Sequence, residues 1–286
     1  ECEQFGSCRI NDPRAEHNCQ TCPAHTEERA VDEKPEFDRR HLLYHIYPMR
    51  ETGTWQRNVE LLLGRMHLFN GKRVIAIVTD EKCDPIGAVK QAFRGFDCEF
   101  IELENDGLLR EVVSWIPLWE RVIDEPGCTF YAHAKGVTRP VNPGVSCHVW
   151  ADILYETLLD YWPAVKNSLA SNEITGTMKK VGRGFSGCPS MWHYSGSFFW
   201  TRNALFRRRK WRQVPQFWWG TEAITGTLYR PEEAGCIFHE GRQHSLDCYS
   251  PDYMNKVVLP ELRAWRAANT SNHSGIGSLT TPSLAT

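Results

Sequence analysis

The sequence lacks a large excess of charge of either sign, because 33 basic residues balance 35 acidic ones and leave a formal net charge of −2. So little net charge gives no broad electrostatic attraction for nucleic acid or anionic membranes, and no nucleic-acid partner is expected. No apolar run approaches the roughly 18 residues that a transmembrane helix needs. Repeats, heptads and collagen triplets are also absent, which excludes solenoids, coiled coils and collagen.

Two phosphate-binding motifs are missing as well. No G-x-G-x-x-G follows the first predicted strand, and no G-x-x-x-x-G-K-[ST] occurs anywhere in the 286 residues. A Rossmann dinucleotide site and a P-loop are therefore disfavoured. With 41% hydrophobic and 12% aromatic residues, the composition is that of a globular protein rather than a disordered one.

Cysteines are numerous but unevenly placed. Four of the eleven, Cys2, Cys8, Cys19 and Cys22, lie in the first 22 residues with the spacing C-x5-C-x10-C-x2-C. Thiolates two residues apart can share one tetrahedral ion, so this cluster predicts a structural zinc site, with disulfides or free thiols as the alternatives. An odd total scattered over a large core favours a reducing compartment, and we expect a cytoplasmic protein.

Composition and periodicity divide the chain into three zones. Residues 1–40 form a cysteine-rich segment and a charged linker, 41–266 a folded domain, and 267–286 a Ser/Thr/Asn-rich tail that is predicted to be disordered. In the first half of the domain, apolar runs at 41–47, 73–79, 98–103 and 128–132 alternate with helical patterns at 54–69, 84–93 and 107–123. This order predicts an α/β fold, a mostly parallel Rossmann-like sheet with helices on both faces.

Ligands of open α/β sheets bind outside the carboxyl ends of the strands, so the candidate residues follow the predicted strands. Tyr47 and Arg50 follow the first strand, Asp80 the second, and His133 and Lys135 the fourth. His133 and Lys135 are two residues apart and therefore project to one side of an extended segment. A cation there would neutralise charge on a diphosphate leaving group. For each of these residues the alternative is a structural role, as a turn cap, a surface charge or a buried hydrogen-bond partner.

The middle zone resembles glycosyltransferases of the GT-A type, which use nucleotide-sugar donors. The similarity covers about 200 residues and rests on the segments YHIYPMR, VIAIVTD, FYAHAKGV, HYSGSFFWTRN, FWWGTEA and GCIFHE. The cysteine cluster ahead of the domain is also similar to an arrangement in some uncharacterised bacterial relatives. These enzymes usually carry Asp-x-Asp after the fourth strand, whereas this chain has His133-Ala134-Lys135, which leaves Mn²⁺ or Mg²⁺ at that point open.

The resemblance implies further roles. It implies that Asp80 contacts the donor base or ribose and that His239, at the end of CIFH, contacts the diphosphate or a metal. The matching segment of the family lies under the donor and acceptor sugars, which implies acceptor contacts here. The residues concerned are Tyr194, Ser195 and Gly196, with the Ser197 hydroxyl in the same segment. Trp219 is a candidate stacking ring, for which core packing is the alternative.

Glu222 is the predicted catalytic residue. Inverting sugar transfer needs a carboxylate that takes the proton of the acceptor hydroxyl. Thr221 followed by a carboxylate also fits the start of a helix, where Glu222 would only stabilise the helix.

The sequence therefore predicts a glycosyltransferase, hexosyltransferase-like and inverting, that acts on a carbohydrate or glycoconjugate acceptor. One alternative is a nucleotidyltransferase with Mg²⁺ held by Asp80 and Asp84; another is a non-catalytic module that binds carbohydrate or protein. The basic segment 207–210 indicates either a peripheral contact with a membrane or an anionic acceptor, or simply a solvated helix face.

Overall fold

A computed structural model of the protein describes residues 37–139, 147–182, 190–241 and 248–271. The first half of the chain alternates strands with helices. The strands are β1 (Arg40–Ile46), β2 (Arg73–Thr79), β3 (Glu99–Glu104) and β4 (Cys128–His133). The intervening helices are α1 (Thr54–Leu63), α2 (Ile86–Ala92) and α3 (Val112–Trp119). The predicted order of elements is confirmed.

The second half is less regular, with short strands between helices. The strands are β5 (Ile174–Gly176), β6 (Lys179–Val181), β7 (Trp192–Tyr194), β8 (Phe199–Arg202) and β9 (Ala234–Cys236). The helices are α4 (Cys147–Tyr155), α5 (Trp162–Ser171), α6 (Asn203–Arg207), α7 (Gly220–Leu228), α8 (Pro251–Tyr253) and α9 (Leu259–Ser271). Single π-helical segments, Glu156–Asp160 and Met254–Val258, follow α4 and α8.

One seven-stranded sheet organises these elements, in the order β3-β2-β1-β4-β8-β5-β9. Neighbouring strands from β3 to β4 are parallel, β8 is antiparallel to both β4 and β5, and β9 is parallel to β5. The beginning of β8 therefore lies at the edge where β1 and β4 end. A separate two-stranded sheet pairs β6 with β7. The predicted α/β class with a mostly parallel sheet is confirmed.

Helices cover both faces of the sheet because β1 and β4 are apolar on both sides. On one face, Leu42 and Phe130 belong to an apolar cluster that includes side chains of α1, α2, α4, α5 and α9. On the other face, Leu43 and Tyr131 belong to a second cluster with side chains of α3, α6 and α7. The side chains of all four strand residues are fully buried.

The ends of the domain differ from the predicted boundaries. Strand β1 begins at Arg40, one residue inside the predicted linker. Helix α9 continues to Ser271, so residues 267–271 are helical although they were predicted to start the tail. The polar side chain of Asn269 stays compatible with the helix because its Nδ2 donates to the carbonyl of Trp265 (2.9 Å). Residues 1–36, which include Cys2, Cys8, Cys19 and Cys22, and residues 272–286 lie outside the described part.

Within the described ranges, Cys83, Cys98, Cys128, Cys147 and Cys236 are free thiols. No helix in these ranges is long and apolar enough to cross a membrane.

Candidate functional site

The strand order creates a crevice between β1 and β4. Strands β2 and β3 lie on one side of β1, and β4 lies on the other side, so the strand order reverses at β1. Open α/β sheets bind ligands at such a reversal. A cavity of ≈ 1100 Å³, a volume that includes open solvent at its mouth, lies at this point. Its walls come from the segments after β1, β3 and β4, from the turn before β8 and from the start of α7. The predicted edge of the sheet therefore carries a cavity.

The segment after β4 places His133 and Lys135 in the cavity wall. Asn58 of α1 fixes the backbone of Lys135, since its side chain accepts from the Lys135 N–H (3.0 Å) and donates to the Lys135 carbonyl (3.0 Å). Gly136 follows in a left-handed conformation, with φ 84°. Thr52 ties the loop after β1 to this segment by donating to the Val137 carbonyl (2.8 Å).

Lys135 is a buried cation, 8% exposed, whose Nζ lies 4.0 Å from the centroid of the Trp150 ring. Burial alone lowers the pKa of Lys135, but Tyr249, Glu222 and Glu111 act in the opposite direction, and the net pKa lies above its ordinary value. Lys135 is therefore charged at neutral pH. Among the described residues, no side chain or carbonyl accepts a hydrogen bond from its ammonium group.

Two histidines beside Lys135 are neutral. Burial lowers the pKa of His45 to about 3, and its Nδ1 is 2.8 Å from the Ser114 hydroxyl. Burial, with Lys135 and His45 nearby, also holds the pKa of His133 well below its ordinary value. The 3.5 Å separation between His133 Nδ1 and Glu111 Oε1 is therefore not an ion pair, and this buried nitrogen has no hydrogen-bond partner among the described residues.

Two carboxylates line the same cavity. Glu222 lies in the first turn of α7, and its Oε1 accepts from the Gly196 N–H (3.1 Å). Glu111 immediately precedes α3, and burial raises the pKa of its carboxyl group. The sequence analysis missed Glu111, because it follows β3 only after a six-residue loop and no motif marks it.

Helix α7 lies directly against β7. A Cβ added to Gly226 would be 1.9 Å from Ser190 Oγ and 2.0 Å from the Trp192 carbonyl oxygen, so no side chain fits between the two elements. This contact fixes the helix that carries Glu222.

The turn before β8 also contributes Ser197, the last residue of the predicted segment 194–197. The Ser197 N–H donates to the Tyr194 carbonyl (3.0 Å), and Gly196 and Ser197 both have positive φ, 95° and 58°. For Ser197 this conformation is strained, which is typical of positions held for function. Ser197 lines the cavity and is 1% exposed, and its buried hydroxyl has no hydrogen-bond partner in the described part.

The predicted acceptor residues are only partly brought together. Trp219 lines the cavity. Gly196 reaches it through its hydrogen bond to Glu222. Tyr194 is instead a core residue, because its ring is 1% exposed and its hydroxyl donates to the Gly235 carbonyl (2.6 Å). Ser195 is fully buried and does not line the cavity.

Of the predicted donor residues, too, some line the cavity and others do not. Tyr47 lines the cavity, and its hydroxyl donates to the Asp80 carboxylate (2.8 Å). Asp80 lies behind it and also accepts from Asn105 Nδ2 (2.8 Å). Burial acts to raise the pKa of Asp80, but hydrogen bonds from Asn105, the Lys82 N–H and Tyr47 bring it below the ordinary value. Asp80 therefore holds two wall residues, Tyr47 and Asn105.

Arg50 and His239 lie away from the cavity wall. Arg50 is on the surface, with its side chain 63% exposed, and contacts Asp84 (3.4 Å) and the Cys83 carbonyl. His239 packs under α9, where Nδ1 is 2.5 Å from Glu261 Oε2 and Nε2 is 2.6 Å from the Tyr253 hydroxyl. These contacts give His239 a structural role.

Within the described ranges, no group of three or more His, Cys, Asp or Glu side chains could hold a metal ion. The position where the resemblance implies Asp-x-Asp does not suit a divalent cation, because it carries the positive charge of Lys135. Asp84, the partner that the nucleotidyltransferase alternative needs, accepts from Trp55 Nε1 (2.9 Å) and contacts Arg50.

Two of the four residues in the basic segment 207–210 form ion pairs. Arg207 contacts Asp124 (3.5 Å), and Arg209 contacts Glu173 (2.8 Å) and Glu233 (3.1 Å). These ion pairs favour the interpretation as a solvated face over a membrane contact.

Acidification below about pH 6.5, the ordinary pKa of histidine, is expected to destabilise the fold. His45 and His133 stay neutral when folded, because their pKa values are lowered, but take up protons when unfolded. Each of the two histidines therefore lowers the free energy of unfolding by about 1.4 kcal/mol for every pH unit below about 6.5. Urea unfolding at a series of pH values measures the slope. His45→Gln should reduce it and the surface variant His67→Gln should not; an unchanged slope in His45→Gln would contradict the assignment.

No protein-family model matches the chain, and no curated protein does. The solved structures that show a remote similarity include the following three. One is 4-diphosphocytidyl-2C-methyl-D-erythritol synthase from Anaerococcus prevotii, with 10% identity and TM-score 0.39 over 83% of this chain and 96% of that one. Another is a putative nucleotide-diphospho-sugar transferase from Desulfovibrio desulfuricans, with 12% identity and TM-score 0.35 over 82% of this chain and 97% of that one. The third is S. aureus TarS 1-349, with 10% identity and TM-score 0.36 over 74% and 62%. At this level of similarity nothing about the activity of this chain follows.

Proposed function

We propose that the protein is a glycosyltransferase that moves a sugar from a nucleotide-sugar donor to an acceptor hydroxyl. The observation that carries the proposal is Lys135, a buried, charged ammonium group in the wall of a cavity at the end of β4. Glu222 and Glu111 supply opposite charge nearby, but a buried ammonium group also needs hydrogen-bond acceptors, and no described residue supplies one. A bound diphosphate would supply one.

The floor of the cavity supports a sugar as the transferred group. Ser197 Oγ and His133 Nδ1 are buried polar atoms without partners, and both residues line the cavity. Unsatisfied groups of this kind are costly unless a ligand pairs with them, and sugar hydroxyls can both donate and accept. Trp219 offers a ring for the apolar face of a sugar.

In the proposed reaction, Glu222 accepts the proton of the acceptor hydroxyl while that oxygen attacks the anomeric carbon. Lys135 stabilises the negative charge that develops on the leaving diphosphate, the task that a divalent cation performs in many transferases. Tyr47, held by Asp80, faces the nucleotide side of the cavity. No step is assigned to a metal ion, since the charge of Lys135 opposes one at that position. The structural zinc site at Cys2, Cys8, Cys19 and Cys22 and the cytoplasmic location stay predictions.

Calorimetry with the full chain tests the proposal. UDP, GDP and CDP, their sugar derivatives and the corresponding NTPs are titrated with and without Mn²⁺. We expect one nucleoside diphosphate and its sugar derivative to bind in both conditions. Preference for an NTP with strict dependence on the metal would indicate a nucleotidyltransferase. Binding of none of these compounds would indicate a module without this activity.

A further inference from the structure

Two arginines in the cavity wall are held against aromatic rings instead of acids. The guanidinium carbon of Arg110 is 5.0 Å from the centroid of the Trp218 ring, and that of Arg139 is 4.9 Å from the centroid of Tyr249. All four residues line the cavity. A ring beneath a guanidinium group fixes its plane and leaves its N–H groups free to meet a planar or tetrahedral oxyanion.

Arg40 and Arg209 also lie over rings, 5.3 Å from Trp162 and 4.7 Å from Tyr229, but neither of them lines the cavity. Several other arginines pair with acids. Arg57, Arg65 and Arg209 each contact a carboxylate oxygen, at 2.5 Å, 2.6 Å and 2.8 Å. Neither Arg110 nor Arg139 has an ion pair with a described residue. Glu111 is close enough to Arg110 for the two charges to interact, but not within ion-pair distance.

The backbone of Arg110, which holds its side chain over the Trp218 ring, has a strained conformation. Its φ is 50°, a left-handed conformation that non-glycine residues seldom adopt, and its ring partner Trp218 is 49% exposed. Holding a charged side chain in a strained turn over an exposed tryptophan costs free energy, and such features occur mainly where a ligand binds.

The charged groups inside the cavity differ from those at Arg110 and Arg139. Inside the cavity, Lys135 interacts with the charges of Glu222 and Glu111 but donates no hydrogen bond to a described residue. A donor diphosphate next to Lys135 leaves Arg110 and Arg139 without an anion of their own. A second anionic group in the bound substrates would complete the set of charges.

We propose that Arg110 and Arg139 form an anion subsite for a phosphate or carboxylate group of the acceptor, which makes the acceptor an anionic carbohydrate. This inference rests on the proposed function, since it assigns the donor diphosphate to Lys135. A guanidinium fork binds phosphate and carboxylate by the same bidentate hydrogen bonds, and the test distinguishes the two sources.

The test titrates glucose 6-phosphate, glucuronate and glucose into the full chain saturated with the nucleoside diphosphate that binds best. We expect the two anionic probes to bind more tightly than glucose. Arg110→Ala should weaken the anionic probe by about tenfold or more, the usual effect of losing a charged hydrogen bond. Arg110→Lys should recover only part of this, because it keeps the charge but loses the fork. Affinity for the nucleoside diphosphate should change less than twofold, roughly the scatter expected for a distant site.

Controls separate the two proposals. Arg94→Ala removes an exposed arginine outside the cavity and should leave every affinity unchanged. Equal binding of glucose and the anionic probes, or equal losses for them in Arg110→Ala, would overturn the subsite. A loss of diphosphate affinity as large as the loss for the anionic probe would move Arg110 to the donor site and also overturn it. Failure of every nucleoside diphosphate to bind the wild-type chain would instead count against the proposed function.

Discussion

Glu222→Gln is expected to lower kcat for sugar transfer by about 10²–10⁴-fold, the usual contribution of a general base. The amide cannot take the proton of the acceptor hydroxyl, but its carbonyl oxygen can still accept the hydrogen bond that Glu222 Oε1 receives from Gly196. The turn that carries Ser197 should therefore keep its shape, and donor affinity should change little. Initial rates at saturating donor and acceptor measure the first effect, and calorimetry with the nucleoside diphosphate measures the second.

A second variant separates proton transfer from support of the turn. Glu222→Ala removes both the base and the acceptor for Gly196, so it should raise the KM values as well as lower kcat. The surface variant Glu60→Gln should be indistinguishable from wild type. A large loss of donor affinity in Glu222→Gln would remove Glu222 from the role of base.

Lys135→Met is expected to weaken binding of the nucleoside diphosphate by about 10–100-fold, as expected for the loss of charged hydrogen bonds to phosphate. Methionine keeps an unbranched apolar stem that can pack on Trp150, so the cavity wall should retain most of its contacts. Binding of the nucleoside without phosphates should change far less. Calorimetry with both compounds gives the two ratios.

Control variants distinguish the effect of Lys135→Met on binding from a general loss of structure. Lys210→Met removes an exposed lysine outside the cavity and should have no effect on either affinity. Thermal unfolding of Lys135→Met identifies a misfolded variant, and Lys135→Ala then provides a second substitution without the charge. Equal losses for nucleoside and nucleoside diphosphate would give Lys135 a structural role only.

The framework of the domain was predictable because its signals are local. Continuous apolar runs such as residues 73–79 indicate strands buried on both faces, and the alternation with helical patterns indicates a parallel sheet. The same reasoning placed His133 and Lys135 at the correct edge, since residues after neighbouring parallel strands meet there. Arg50 and His239 also lie near strand ends, but the direction of a side chain depends on tertiary contacts that no pattern reveals.

Three residues of the cavity wall lie in segments that do not directly follow a strand. Ser197 precedes a strand, and it reaches the site only because β8 runs against its neighbours. Glu111 and Arg110 lie well after β3, at the start of α3. A left-handed serine or arginine leaves no mark in the sequence, whereas a glycine at the same place would have indicated a turn. Long-range antiparallel pairing and backbone strain therefore had to be read from the structure.

The close approach of Gly226 to β7 has a consequence for the rigidity of the cavity. With no side chain between the two elements, α7 cannot move toward β7 without a steric clash, so Glu222 has a fixed position in the cavity wall. In the proposed reaction the general base is then in place before the substrates bind. Any adjustment to different substrates would fall to the loops that carry Arg110 and Trp218.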